Sequence, residues 1–381
     1  MEIKNLKKAA DRILKAVKNK ERIILYADAD MDGITSVIVV RDALKNLGSK
    51  VEVVYFPDRE EEGYGLNEKA LEFLKEKAPA LLIILDCGIG NFKEVEIVNN
   101  MGFEVIIVDH HVAFEELPKA SIIVDPKQKG DEYPFKEFAA AGLAFKLAEA
   151  LLGEKMSKSL RNDFLELVAL ATIADMMPDI EDNKVFIEEG LSSLESTYRP
   201  GLKVFSESSQ KFSSTRELAQ KIVSTLNISI PHNHLNRSFE LLTCSSIPEA
   251  KVLMDELSEK AEEKRNRTKE IVQEVEERIS KKEDPIIFEG DSFWPIILAG
   301  TTASKICYSF GKPTFIFKKG EKESQGAVRM PKGLNGVEAL MSCKDLMIAF
   351  GGHPPAAGFR IKNENLEKLN TCLITYFKDK L

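Results

Sequence analysis

Residues 26–36 read YADADMDGITS and place Asp28, Asp30 and Asp32 within five positions, directly after the apolar run Ile23-Ile24-Leu25. In an extended segment, residues i, i+2 and i+4 point to one face. Two carboxylates roughly 6 Å apart repel by ~3 kcal/mol at an effective dielectric near 20. A cation is expected to offset that repulsion, and an oxygen-bound metal ion is the first candidate. An EF-hand calcium loop shares the D-x-D-x-D-G opening. That loop requires Glu at its twelfth position, where this chain has Val39, and a helix before it, where the apolar run reads as a strand.

Outward from this stretch, apolar runs of strand length recur at 23–26, 51–56, 81–85, 105–108 and 122–124, with helical periodicity at 35–47, 67–77 and 93–101. Strand and helix in alternation predict an α/β fold with a mainly parallel sheet. Residues 138–175 read as two packed helices, and 190–246 as polar and helical in parts. Residues 247–283 form a highly charged helical stretch with a thin apolar stripe of Leu253, Leu257, Ala261, Val272, Val275 and Ile279. A helix that is polar over most of its circumference bridges domains through solvent. Beyond Pro285, strands are predicted at 286–288, 296–298 and 314–317, a helix at 301–310 and a glycine turn at Gly351-Gly352-His353. The expected organisation is a catalytic domain over 1–246, a linker helix over 247–283 and a smaller α/β domain over 284–381.

The 381 residues are 44% apolar and 30% charged, enough for two domains with cores. No apolar run approaches the ~18 residues of a membrane helix. The basic amphipathic stretch 1–20 lacks the apolar core of a signal peptide, so a cytoplasmic protein without membrane partners is expected. The five cysteines contain no C-x-x-C pair and read as reduced thiols. A formal net charge of −8 does not suit a protein that coats nucleic acid through counterion release. It allows a local basic groove, or an acidic site that loads divalent metal.

The acidic and imidazole groups collect at element ends. Asp86 closes the run 81–85; Asp109, His110 and His111 close 105–108; Asp125 closes 122–124; Asp175 closes the helical stretch before it. Open α/β sheets bind ligands outside the carboxyl ends of their strands. Carboxylates suit Mg²⁺ and Mn²⁺, and imidazole shifts preference toward Mn²⁺. Two such ions roughly 3.5–4 Å apart activate water for displacement at phosphorus, and Asp86, alone at its strand end, suits a bridge. No P-loop, H-E-x-x-H or G-x-S-x-G motif is present. His232 and His234 read as a polar surface loop.

In order, DADMDG, LDCG, VDHH and ATIAD resemble the four motifs of the DHH phosphoesterases, and GGHPPAAGF resembles the glycine-histidine motif of the DHHA1 domain. FPDREEEGYGLN, YPFKEFAAAGLAFKLAEAL and ELVALATIADMMPD resemble segments of the RecJ-like single-strand-specific exonucleases in that family, over residues 21–375. The resemblance implies an active site between two domains and two divalent ions, Mn²⁺ before Mg²⁺. Asp30 and Asp86, with Asp28, would hold one ion; Asp32, Asp86, His110 and Asp175 would hold the other. His111 would meet the scissile phosphate, and Asp109 would orient the neighbouring imidazole. Arg59, Arg329, His353 and the backbone of Gly351 and Gly352 would hold phosphates of the strand.

Three departures stand out. Tyr26 replaces a histidine common in the family, residues 224–237 depart from the glycine- and arginine-bearing segment of RecJ, and no stretch resembling its OB-fold follows the DHHA1-like part. An OB-fold supplies a stacking groove for single strands; without one, weaker grip or reliance on a replication or repair partner is expected.

The expected activity is hydrolysis of single-stranded DNA, or RNA, to nucleoside 5′-monophosphates by metal-activated water, in repair or replication. Two alternatives stand beside it. One is a phosphodiesterase for short oligonucleotides or cyclic dinucleotides; the other is a non-catalytic replication scaffold.

Overall fold

The computed structural model describes residues 2–207, 212–228, 230–378 and 380. The chain divides into two compact units, Met1–Ala261 and Glu262–Leu381.

The first unit opens with α1 (Leu6–Asn19), β1 (Ile23–Ala27), α2 (Met31–Asn46), β2 (Val53–Tyr55), α3 (Glu68–Lys75), β3 (Leu81–Leu85), α4 (Phe92–Asn100), β4 (Glu104–Val108) and β5 (Ile122–Val124). The strands form one parallel sheet in the order β2-β1-β3-β4-β5. Runs such as IILYA and LLIIL are apolar without alternation because both sheet faces are covered. Successive side chains part to opposite faces. Ile23, Leu25, Ala27, Ile83 and Leu85 enter a core shared with α1 and α2, while Ile24, Tyr26, Leu82 and Ile84 enter a second core with α3 and α4. The strand order reverses between β1 and β3, and the carboxyl ends at such a reversal frame a crevice.

The first core continues into α5 (Ala140–Leu152), α6 (Lys158–Ala174), α7 (Glu181–Leu194), α8 (Pro200–Ser206) and α9 (Thr215–Leu226). A two-stranded hairpin, β6 (Pro231–His232) and β7 (Leu235–Asn236), and α10 (Arg237–Thr243) follow. The hairpin replaces the expected surface loop, and its histidines are engaged. His232 Nδ1 lies 2.7 Å from Glu240 Oε1, and the His234 ring lies 4.9 Å from that of Phe73.

The 33-residue α11 (Ile247–Ile279) contains the boundary between the units. Leu257 and Ala261 belong to the first unit's core, whereas Ile271, Val275 and Ile279 belong to a core of the second. Thr268 is also buried and returns its hydroxyl to Lys264 O at 2.7 Å, so the stripe continues through the charged middle of the helix.

The second unit contains β8 (Ile287–Asp291), α12 (Ile296–Phe310), β9 (Thr314–Lys319), β10 (Glu323–Arg329), α13 (Gly336–Met341), β11 (Met347–His353), β12 (Ala356–Lys362) and α14 (Leu366–Lys378). Its sheet runs β11-β12-β10-β9-β8, with β8 and β9 parallel and the other pairs antiparallel.

Three expectations fail here. Residues 296–298 begin a helix, because Leu298, Ala299, Thr302, Ala303, Ile306 and Cys307 make one buried helical stripe that outweighs the β-branched start. Gly351, Gly352 and His353 lie on β11, and the turn falls at Pro354-Pro355. Cys343 and Cys372 are disulfide-bonded rather than reduced: the fold of the second unit brings their Cα atoms to 6.3 Å, a pairing that a spacing of 29 residues does not announce. Cys87, Cys244 and Cys307 are free thiols.

Candidate metal centre

Each acidic group reaches the crevice because an element stops beneath it. Asp30 caps α2, and its Oδ1 accepts from the amides of Asp32 and Gly33 at 3.0 and 3.2 Å. Gly33 is required by close approach, since a Cβ there would sit 2.2 Å from Asp28 O. Asp32 points the other way, onto the N-terminus of α5, where its two oxygens accept from the amides of Ala140 at 2.7 Å and Ala141 at 2.8 Å. A helix N-terminus favours negative charge. Asp86 follows β3 in the left-handed region at φ 58°, a conformation that Asp and Asn tolerate better than most residues.

His110 stands at the centre. Its Nδ1 lies 2.7 Å from the carbonyl of Phe138. A carbonyl only accepts, so Nδ1 carries the proton and Nε2 keeps its lone pair. That Nε2 faces three carboxylates: Asp86 Oδ1 at 3.2 Å, Asp32 Oδ2 at 3.6 Å and Asp175 Oδ2 at 3.7 Å. Burial pushes the imidazole down to about 3, so it is neutral at physiological pH. Burial, then mutual repulsion, drives Asp32 and Asp86 well above the carboxylate range, and Asp175 up to about 7.

Asp109 is built differently. Its Oδ2 accepts from the Ile89 amide, and its Oδ1 accepts from the amides of His110 and His111 and lies 2.7 Å from His111 Nδ1. Burial opposes its charge, but these partners outweigh burial and hold it well below the usual range. In return, Asp109 pushes His111 up to about 9 against the pull of burial.

Arg59 lies where the acidic loop begins. Its Nε donates to Asp28 Oδ1 at 2.6 Å, and its Nη2 reaches Asp28 Oδ2 and, at 3.0 Å, Asp30 Oδ2. The guanidinium thus supplies the positive charge that the aspartate cluster demands. Burial still raises Asp28, whereas at Asp30 the guanidinium and the Gly33 amide outweigh burial and hold the group low.

Among the described residues of this unit, donor atoms within 4.8 Å of one another fall into three sets: Asp28, Asp30 and Asp86; Asp32, His110 and Asp175; and Asp86, Asp109 and His111. Asp175 Oδ2 is buried without a hydrogen bond. Hard carboxylate oxygens around one neutral imidazole, with an oxygen left unsatisfied, fit divalent metal ions of the Mn²⁺ and Mg²⁺ type.

Several sequence expectations change in detail. Tyr26 lies on the opposite face of β1, stacked on Tyr55 at 5.5 Å, and donates its hydroxyl to Gly65 O at 2.7 Å. The divergent segment 224–237 braces the acidic loop: Asn227 Oδ1 accepts from Met31 N, and Asn236 Nδ2 donates to Ala29 O. Asp125 is buried and accepts from the Lys127 amide, but among the described residues it joins no donor set. Sequence reasoning missed Tyr64, whose hydroxyl lies 3.3 Å from both His111 Nδ1 and Asp86 O. Its position between Gly63 and Gly65 was the available signal.

In the second unit, Arg329 donates from Nε to Ser304 Oγ at 3.0 Å and from Nη1 to Val328 O at 2.8 Å. Arg329 and His353 both pair with Ala356, so the two share one cross-strand row. Beside them Gly352, at φ 131°, admits the backbone of β12, since a Cβ would lie 2.5 Å from Ala356 O.

Residues 22–172 match the family described as DHH family, N-terminal domain. Over 379 residues the chain is 35% identical to the single-stranded-DNA-specific exonuclease RecJ of Bacillus subtilis, a match covering 98% of this chain and 48% of that protein. Over 360 residues it is 30% identical to the RecJ of Thermus thermophilus, covering 94% of this chain and 52% of that protein. The chain therefore spans about half the length of these two relatives. A crystal structure of exonuclease RecJ bound to manganese superposes with a TM-score of 0.79 at 27% identity, covering 99% of this chain and 95% of the other. A Thermus thermophilus RecJ structure in complex with Mn²⁺ gives 0.84 at 26% identity, covering 99% and 55%.

Proposed function

We propose that this chain, a RecJ-like member of the DHH family, is a divalent-metal-dependent exonuclease that hydrolyses single-stranded nucleic acid, DNA before RNA, to nucleoside 5′-monophosphates in repair or replication. One observation carries the reading: His110, its Nδ1 proton held by Phe138 O, aims Nε2 at carboxylates from three different elements. A scaffold has no use for so costly a cluster of buried like charges. Mn²⁺ is the first choice of ion, as in the two RecJ structures, with Mg²⁺ the alternative. A cytoplasmic setting belongs to the same reading; among the described residues no helix is long and apolar enough to cross a membrane.

Asp28, Asp30 and Asp86 would hold one ion, and Asp32, Asp86, His110 and Asp175 the other. Bound there, divalent ions supply Lewis-acid charge that lowers the pKa of water and neutralises the oxygens of phosphorus. The remaining work falls to this chain's own groups. His111, charged through Asp109, presents a proton to a phosphoryl oxygen, and Tyr64 fixes the ring. Arg59, held on Asp28 and Asp30, lies at the edge of the first donor set and would be the nearest guanidinium to a phosphate bound there. Arg329, His353 and the glycines of β11 hold phosphates of the strand.

The test is digestion of one oligonucleotide labelled at either end, as DNA and as RNA, with Mn²⁺. Mononucleotide release from single-stranded DNA is expected, and the labelled end that empties first gives the polarity. Asp86→Asn, which keeps the tolerated left-handed backbone, should lose at least a thousandfold in rate while folding normally. Wild-type activity in that variant refutes the assignment.

A further inference from the structure

The loop after Asp175 is costly in a way the metal centre does not explain. Asp175 ends α6, and the helix closes through Met176 N to Ile173 O at 3.2 Å and Met177 N to Thr172 O at 3.1 Å. This closure places Met176 in the left-handed region at φ 53°, a position usually taken by glycine. Five residues on, Glu181 is also left-handed, at φ 47°. The loop is firmly held: the amide of fully buried Asn183 donates to Pro178 O at 3.1 Å and to Glu137 O at 2.6 Å. Met176 is nevertheless 72% exposed, and Ile180 51% exposed. Folding alone would favour a glycine or asparagine at position 176, relieving the backbone and removing an apolar side chain from water.

We propose that Met176 is a substrate-binding residue whose side chain lies against the face of the nucleobase beside the scissile phosphate. The inference rests on the nuclease reading and adds to it the group that receives a base. Asp175, the residue before it, belongs to the donor set of Asp32, His110 and Asp175 assigned to one of the two ions, so Met176 borders the proposed reaction centre. A flexible, polarisable thioether adapts to purines and pyrimidines alike. Contact with a base face carries no sequence information, as an enzyme that degrades any strand requires. The backbone strain and the exposed apolar surface are then the stability cost of a binding contact.

Three variants test this: Met176→Gly, Met176→Asn and Met176→Leu. The first two suit the left-handed backbone and remove the apolar side chain; the third keeps an apolar side chain. Met176→Gly and Met176→Asn should melt about 2 °C higher. Their KM for a single-stranded oligonucleotide should rise about tenfold, in the range expected for losing one stacked base. Mn²⁺ affinity, measured by calorimetry without substrate, should not change. Met176→Leu should keep KM within about twofold of wild type, in line with a conservative apolar swap. If the wild type cleaves the strand and the Gly and Asn variants match its KM, the proposal is wrong and the nuclease reading stands. A Leu variant as weak as the Gly variant also overturns it, because shape-tolerant apolar contact would not be the cause. A wild type that cleaves no single strand removes the reading underneath and the proposal with it.

Discussion

Arg59 and the aspartates it bridges show how single residues balance this site. Asp28 is almost fully buried, and its carboxylate is matched by a guanidinium that also reaches Asp30. Removing one partner of a buried ion pair leaves an uncompensated charge, typically costing ~3–5 kcal/mol. Arg59→Gln should therefore lower the melting temperature of metal-free protein, and Mn²⁺ should raise it further than in wild type because the ion now meets no internal competitor. Equal Mn²⁺-induced shifts in both proteins, measured by differential scanning fluorimetry, would show that the guanidinium and the ion do not share those carboxylates. At this scale the acidic residues were legible because each ends an apolar run. The commitment of Arg59 to Asp28 was not, since 31 residues separate them. Neither were the Phe138 carbonyl and the Ala140 and Ala141 amides, because backbone groups carry no residue-type signal.

Helix α5 does more than fill the core, since its first two amides are the hydrogen-bond donors to Asp32. Ala140 is the first helical residue, with Ala139 before it in extended conformation at ψ 157°. Proline is tolerated at that first position and after an extended residue. Ala140→Pro should thus preserve the helix while deleting the amide that donates to Asp32 Oδ2. Hydrogen bonds to charged groups contribute ~1.5–3 kcal/mol, so Asp32 would hold its proton more tightly and Mn²⁺ affinity at pH 7 should fall about tenfold. Calorimetry checks this, and unchanged affinity in a normally folded variant would mean that α5 does not tune the site. The parallel strands were readable from their β-branched runs, and the reversal between β1 and β3 explains why their ends gather the carboxylates. In the second unit the same vocabulary misled at 296–298, where a buried helical stripe decides, and at Gly351-Gly352-His353, where glycines sit within a strand that admits its neighbour closely.

Across the whole molecule, the ionisation of the cluster couples to folding. Burial raises Asp32, Asp86 and Asp175, the last to about 7, so metal-free folded protein binds more protons than the unfolded chain between the usual carboxylate range and about pH 7. Stability falls with rising pH wherever the folded state holds the extra protons. Asp109 and Asp30 act in the opposite sense, but their depressed values place that contribution at the acid side of the window; His110, pushed down to about 3, also opposes the trend up to the ordinary histidine range, one group against three. His111, raised to about 9, adds stability below the ordinary histidine range that is lost as pH climbs through 9. Metal-free protein should therefore melt at progressively lower temperature from about pH 5 to pH 7. Metal ions displace these protons, and a ligand that binds only the folded state stabilises it in proportion to its affinity. With Mn²⁺ present, the melting temperature should instead rise across the same window as ligation strengthens. Melting curves with EDTA and with Mn²⁺ at half-unit pH steps make the comparison. Two parallel curves would mean that the buried carboxylates keep their protons whether or not metal is offered, and that the cluster is not the metal centre.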